Sequence, residues 1–308
     1  MAFLRAFGSY VPARVVANAE LAASLGCEPD WIFSVSGILE RRYAAESESV
    51  VDLAVQAATN CLTRVPGAEV GLVIVSSGSA ERRFPGPAAE TASRLGMAGT
   101  PAIDLPVASA GSIFGLALGA KLAAAFGRVL LIATEKMSAV IARPPQDRNT
   151  AILFGDGAGA CLIDPEQGAA EVVDSCLHSD GSFAENLRLE FDRPLHMDGR
   201  VVILQASRKV PAVIRELLER HRIPAASVGT FLMHQANQNL IAKIAQGLEV
   251  PPEKFYSNIA RYGNTSSASL LIAAAEWNAL GRFRTEEPVV FAGFGAGFHW
   301  GALLVVGT

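Results

Sequence analysis

Cysteine is scarce: Cys27, Cys61, Cys161 and Cys176 are the only four in 308 residues, and none forms a CxxC pair or sits at Cys/His metal spacing. That excludes a disulfide framework and a finger-type metal site, and it predicts ordinary buried thiols with no bound metal. Charge is thin too, 18% of residues, with 26 Lys and Arg against 30 Asp and Glu and no basic block. A nucleic-acid or anionic-membrane surface is therefore excluded. The most apolar region, Pro101 to Thr134, is broken by Asp104, several glycines, Lys121 and Arg128. It falls short of the ~20 clean residues of a membrane span and reads as buried strand, helix and strand. The first twelve residues lack the basic segment, apolar stretch and small-residue cleavage site of a secretory signal, so a cytoplasmic chain is expected. What is present is apolar material, half of all residues and a mean hydropathy of +0.30, enough for a large soluble core.

Periodicity predicts alternating strands and helices. Helices are expected over Ser49 to Leu62, over Pro87 to Leu95 and from near Ser109. Strands are expected over Val70 to Ser76, Ala102 to Ala108, Val129 to Thr134 and Gly159 to Ile163, with a loop around Arg143 to Asp147. After the polar turn Asp164 to Gly168 the same grammar returns. Strands fall near Ala170 to His178, Thr230 to His234, Val289 to Ala292 and Trp300 to Val306, and helices over Val201 to His221, Gln238 to Leu248 and Ser267 to Leu280. Two similar α/β halves, 1–164 and 165–308, are the simplest architecture.

Four segments carry chemistry: Val107 to Ser112 (VASAGS), His234 to Asn237 (HQAN), Gly263 to Ser269 (GNTSSAS) and the glycine-rich turn Gly293 to Gly301. Supporting segments are Gly8 to Pro12, Trp31-Ile32, Gly37 to Arg42, Phe84-Pro85, Phe154 to Ala160 and Met197 to Arg200. In this order and spacing the chain resembles the β-ketoacyl-acyl carrier protein synthase III family. The resemblance implies an α/β fold, the thiolase-like five-layered αβαβα arrangement of two pseudo-equivalent halves, and an acyltransferase of fatty acid or polyketide biosynthesis. Neither glycine-rich turn stands between a strand and a helix with an acidic residue ~20 positions on, so neither reads as a dinucleotide loop.

In that family a Cys at a helix N-terminus takes an acyl group from coenzyme A, and a His and an Asn bind the malonyl-carrier carbonyl during decarboxylation. His234 and Asn264 match the His and Asn; the Cys position holds Ser109. A helix terminus contributes about 0.3–1 kcal/mol, under one pKa unit, so it helps a thiol ionise but not an alcohol. Ser109 therefore needs a general base, and the resemblance brings His234 near. Read alone, a serine opening a helix is an N-cap; at the family's nucleophile position it is the acyl carrier, or a substitution that traps substrate. An oxyester is the poorer donor to carbon, which raises the standing of transfer to an alcohol, amine or water. The implied oxyanion hole uses the backbone N–H groups of Ser109 and Ala296, and an alanine at 296 serves if its φ is negative.

The resemblance further implies coenzyme A thioester as substrate, with no permanently bound cofactor. Trp31 and Arg148 fall where the adenine is sandwiched, and Phe154, Met197, Gly199, Ala236 and Asn237 fall on the tunnel wall. A second phosphate-binding Arg is replaced by Val35, and the basic residues that meet an acidic carrier protein are replaced by Asn239, Gln246 and Gly247. Lys243, Arg208 and Lys209 are candidate substitutes. Phe84 matches a residue that reaches a partner's acyl pocket, which implies a homodimer. The remaining histidines, His178, His196, His221 and His299, are expected in surface or packing roles. Two rival readings are a thioesterase or malonyl decarboxylase, and a non-catalytic partner of a true synthase.

Overall fold

The computed structural model describes all 308 residues. Strand β1 (Phe3–Tyr10) leads into a small ribbon, β2 (Arg14–Ala17) with β3 (Glu40–Tyr43), whose loop carries helices α1 (Asn18–Leu25) and α2 (Pro29–Ser36). Then follow α3 (Val50–Leu62), β4 (Leu72–Ser76), α4 (Pro87–Arg94), β5 (Ala102–Leu105), α5 (Gly111–Phe126), β6 (Val129–Lys136), α6 (Met137–Ile141), α7 (Arg148–Ala151) and β7 (Asp156–Asp164). The rest comprises β8 (Ala170–Ser179), a second ribbon of β9 (Leu187–Arg188) and β10 (His196–Met197), α8 (Gly199–Arg220), β11 (Thr230–Met233), α9 (Gln238–Leu248), β12 (Phe255–Tyr256), α10 (Ile259–Tyr262), α11 (Ala268–Ala279), β13 (Pro288–Gly295) and β14 (His299–Gly307).

Ten strands pair in the order β12-β11-β13-β14-β8-β1-β7-β6-β4-β5. Read outward from the centre, the two runs match: β1-β7-β6-β4-β5 on one side and β8-β14-β13-β11-β12 on the other. In each run the first two pairings are antiparallel and the last two parallel. The runs join only at Phe3 with Glu171 and Leu4 with Ala170, so the ladder is continuous but bends around what it encloses.

It encloses α5 and α11. These helices are apolar on every side, and each touches strands of both runs, which fits helices with no face reserved for water. Their core takes in Phe7, Ile74, Ile113, Leu116, Leu131, Leu271, Phe291 and Leu303. Outside one run lie α3 and α4 over Val73, Leu130 and Leu162; outside the other lie α8 and α9 over Phe231, Val290 and Leu304. The layers alternate αβαβα, the thiolase-like arrangement. No helix is long and apolar enough to cross a membrane.

Local chemistry sets the boundaries. Helix α3 starts behind a capping box in which Ser49 and Asp52 satisfy each other's backbone N–H groups. Strand β5 stops at Leu105, three residues before the expected end, because Pro106 has no N–H to continue a ladder. The expected loop near 143–147 is flanked by the short helices α6 and α7, the latter capped by Asp147.

Candidate active site

The turn between β5 and α5 puts Ser109 in the left-handed region, φ 61°, a conformation that costs a non-glycine residue about 1–3 kcal/mol. The helix cap is Ala110, and no side chain caps α5. The N-cap reading of Ser109 is thereby removed. Close approach holds the turn: a Cβ on Gly295, at the end of β13, would stand 1.9 Å from Ala108 O and 2.7 Å from Ala110 N. Only glycine allows β13 to abut the serine.

Ser109 meets a second serine of the same strained kind. Ser266, φ 47°, accepts the Ser109 N–H at 3.1 Å, and the two hydroxyls lie 3.2 Å apart. The expected Ser109–His234 hydrogen bond is not formed. The physical reason is where the ring proton sits: Nδ1 lies 2.6 Å from Ser269 Oγ, which also accepts the Gln235 N–H at 3.1 Å, and with Nδ1 as acceptor Nε2 carries the hydrogen and cannot accept one from Ser109. The Ser269 hydrogen has no other acceptor, so it donates to Nδ1 and leaves the ring hydrogen on Nε2. Burial alone pushes the His234 pKa down to about 3. His234 is a neutral donor at working pH, edge-on to Phe294 at 5.3 Å.

Asn264 is fixed from both ends. Its backbone bridges the strand-like segment at Phe154: Asn264 N–H donates to Leu153 O at 2.9 Å, and Gly155 N–H donates to Asn264 O at 3.0 Å. Its Oδ1 accepts the Ser266 N–H at 2.9 Å, which orients Nδ2 as the free donor, with Ala236 O no nearer than 3.5 Å. Behind both serines lies Glu135, wholly buried. Its carboxylate accepts Ser267 Oγ and Ser79 Oγ at 2.6 Å each, and also the N–H groups of Gly78 and Ser267. Ser112 Oγ in turn donates to Ser267 O.

Ser109, His234 and Asn264 converge on one cavity of about 280 Å³, whose wall includes the expected Trp31, Phe154, Met197, Gly199, Ala236 and Asn237. Val35, where a cation was missed, lines it too. Arg148 is not part of that wall; its guanidinium sits 5.0 Å from the ring centroid of Trp31, which is. Asp198 caps α8 beside Gly199 by accepting the Arg200 and Val201 N–H groups. Asn237 and Asn239 donate to Val35 O and Ser34 O, so both brace α2 against α9. Ala296 borders a smaller cavity of about 50 Å³ together with Ser109 and Ser266, and it is absent from the residues with positive φ. Phe84 stands apart from these cavities, 85% exposed. Lys209, a candidate carrier contact, is instead paired with Asp180 at 3.0 Å and lies over Trp300.

Ser266 and Ser269, within the Gly263 to Ser269 segment, and Glu135 are site residues that the motifs do not assign. The serines were findable as hydroxyls in the one segment that already carried the Asn. Glu135 gave no signal, because a carboxylate ending an apolar strand looks like a surface residue.

A buried histidine and asparagine thus share one cavity with a serine raised on a strained strand-to-helix turn, within a thiolase-type fold. Comparison with known proteins agrees. The description 3-oxoacyl-[acyl-carrier-protein (ACP)] synthase III matches residues 103–181, and its C-terminal counterpart matches residues 218–306. The chain is 37% identical to the β-ketoacyl-[acyl-carrier-protein] synthase III of Rubrobacter xylanophilus, covering 96% of each chain. The Aquifex aeolicus 3-oxoacyl-[acyl-carrier-protein] synthase III structure superposes with a TM-score of 0.94 at 31% identity, over 99% of this chain and 100% of that one. A priming β-ketosynthase of a polyketide pathway superposes with a TM-score of 0.91 at 30% identity, over 100% and 96%. The chain belongs to the β-ketoacyl-acyl carrier protein synthase III family and is an acyl-transferring condensing enzyme.

Proposed function

We propose that Ser109 carries the acyl group as an oxyester, taken from a coenzyme A thioester that enters past Trp31 and Arg148. The observation that carries this reading is the convergence of Ser109, His234 and Asn264 on one cavity whose wall includes Trp31, itself in contact with Arg148. In the first step Ser109 Oγ bonds to the thioester carbonyl carbon, the carbon–sulfur bond breaks, and the hydroxyl proton ends on the coenzyme A sulfur. The backbone N–H groups of Ser109 and Ala296 would receive the oxyanion, for which Ser109 N–H must leave Ser266 Oγ. In the second step a malonyl thioester accepts hydrogen bonds from His234 Nε2 and Asn264 Nδ2. Its carboxylate departs as carbon dioxide, and the enolate carbon bonds to the acyl carbon. The Ser109 oxygen leaves and regains a proton from water.

Two donors, one neutral and one an amide, suit a developing enolate oxygen without adding a proton to it. Transfer to an oxygen or nitrogen acceptor uses the same ester. The malonyl unit arrives on a carrier protein, met by Lys243 and Arg208. We further assign the chain to a cytoplasmic homodimer, supported by the exposed Phe84 and by the edge strand β5 with Ile103 48% exposed. The working division is 1–164, which supplies the serine, and 165–308, which supplies His234 and Asn264.

One observation favours a second reading, a malonyl-thioester decarboxylase: Ser109 faces only a neutral hydroxyl, whereas His234 and Asn264 are already set. Intact mass of the protein after incubation with acyl-CoA species decides between them. An adduct lost in Ser109→Ala supports the carrier reading; carbon dioxide and the decarboxylated thioester from a malonyl thioester, with no adduct, support the second.

A further inference from the structure

Away from the acyl site, three side chains of metal-ligand type meet where α8 packs on β8. Cys176 and His178 are two residues apart on β8, so both leave the same face of the strand. Glu216 comes from the last turns of α8, 38 residues beyond His178. No short motif announces the set, because strand alternation supplies two members and helix packing the third.

The three donor atoms all lie within 4.8 Å of one another. His178 Nε2 is 3.2 Å from Cys176 Sγ and 2.9 Å from Glu216 Oε2, and its ring is held by stacking on Trp300. A single ring nitrogen carries one hydrogen or one lone pair, so it makes one full hydrogen bond and not two. An ion among the three atoms satisfies all of them. Tetrahedral zinc, with bonds of ~2.0–2.3 Å, holds its donors ~3.4–3.6 Å apart, so these contacts need open by only about half an ångström.

Positive charge is already drawn to the spot. Arg220 Nη2 donates to Cys176 Sγ at 3.4 Å and to Glu216 Oε1. Asp174, paired with His221 at 3.0 Å, lies 3.7 Å from Arg220 Nη1. Two carboxylates thus face one guanidinium, which is part exposed and can turn toward Asp174 as an ion enters. Cys176 is buried, but His178 and Glu216 are each part exposed, which opens the cluster to solvent.

We propose that Cys176 Sγ, His178 Nε2 and Glu216 Oε2 bind one zinc ion, with water as the fourth ligand, as a clasp tying the end of α8 to β8. Burial and the Glu216 carboxylate push the Cys176 thiol up to about 11, so the free thiol keeps its proton and releases it to solvent as the sulfur–zinc bond forms. The role is structural. None of the three residues borders the cavity of Ser109, His234 and Asn264, and β8 lies five pairings from the edge strand β5.

Cobalt(II) reads the site, because it accepts the same tetrahedral donors and a bound thiolate gives it a near-ultraviolet charge-transfer band. Titrating the metal-free, reduced protein with Co2+ should produce that band at one equivalent, and Zn2+ should abolish it. Cys176→Ser should lack the band and Cys27→Ser keep it. Glu216→Gln, a change at a part-exposed helix position, should weaken Co2+ binding at least about tenfold. Zn2+ should also raise the melting temperature of the parent but not of Glu216→Gln. No band in the parent, a band kept in Cys176→Ser or lost in Cys27→Ser, or an affinity or melting shift unchanged in Glu216→Gln overturns the proposal.

Discussion

Mild acid isolates the cost of burying a neutral imidazole. His234 is 1% exposed, and burial lowers its pKa from 6.5 to about 3. In the unfolded chain it takes up a proton as pH falls through its ordinary value, whereas in the folded chain it does so only near 3. Between these limits the unfolded state binds more protons, so stability falls on acidification through this window and recovers as pH rises. At about pH 5, some 1.5 units below the unfolded value at ~1.36 kcal/mol per unit, the penalty is about 2 kcal/mol. Urea unfolding of the parent and of His234→Asn, each at pH 7 and pH 5, measures it, since the other titrating groups are common to both proteins and cancel. The parent should lose about 2 kcal/mol more than the variant between the two pH values. Equal losses would mean that the imidazole charges normally inside the fold, and the assignment of His234 as a neutral Nε2–H donor would fall.

Ser109→Cys should raise condensation with a malonyl thioester, because a thiolate is accessible near neutral pH and its thioester is the better acyl donor; a fall in product formation would mark the site as specialised for the alcohol. Ser269→Ala removes the hydroxyl that fixes the His234 tautomer, and losing one hydrogen bond of ~1–1.5 kcal/mol should slow malonyl decarboxylation about five- to tenfold with KM little changed, as followed by carbon dioxide release. Arg148→Ala should raise KM for the acyl-CoA about two- to fivefold, as suits an exposed cation–π contact of ~0.5–1 kcal/mol, and leave kcat near the parent value.

The strand and helix order was legible wherever an element was long or chemically punctuated. Ser49 with Asp52 announced α3, Pro87 announced α4, and the Asn237 cap announced α9. The N-terminal ribbon and α1 and α2 were not, because four-residue strands and eight-residue helices closed by Gly26 and Gly37 carry too few periods to stand out. At the site, Ser109, His234 and Asn264 were legible from their motifs, but their hydrogen-bond partners were not. Whether His234 faces Ser109 or Ser269 depends on a choice between hydroxyls that only packing makes. The start of α5 was misplaced for a related reason: a serine in the left-handed region looks in sequence like any other cap.

Glu135 gathers donors from Gly78 and Ser79, early in the chain, and from Ser267, near its end. The strained turn of Ser109 likewise leans on Ser266. The first 164 residues supply Ser109, Gly78, Ser79 and Glu135, whereas Ser266 and Ser267, which complete these contacts, come from the last sixth of the chain. The support of the turn thus spans the two halves, and truncation anywhere before Ser266 would leave the Ser109 N–H without its acceptor and Glu135 without its Ser267 donors.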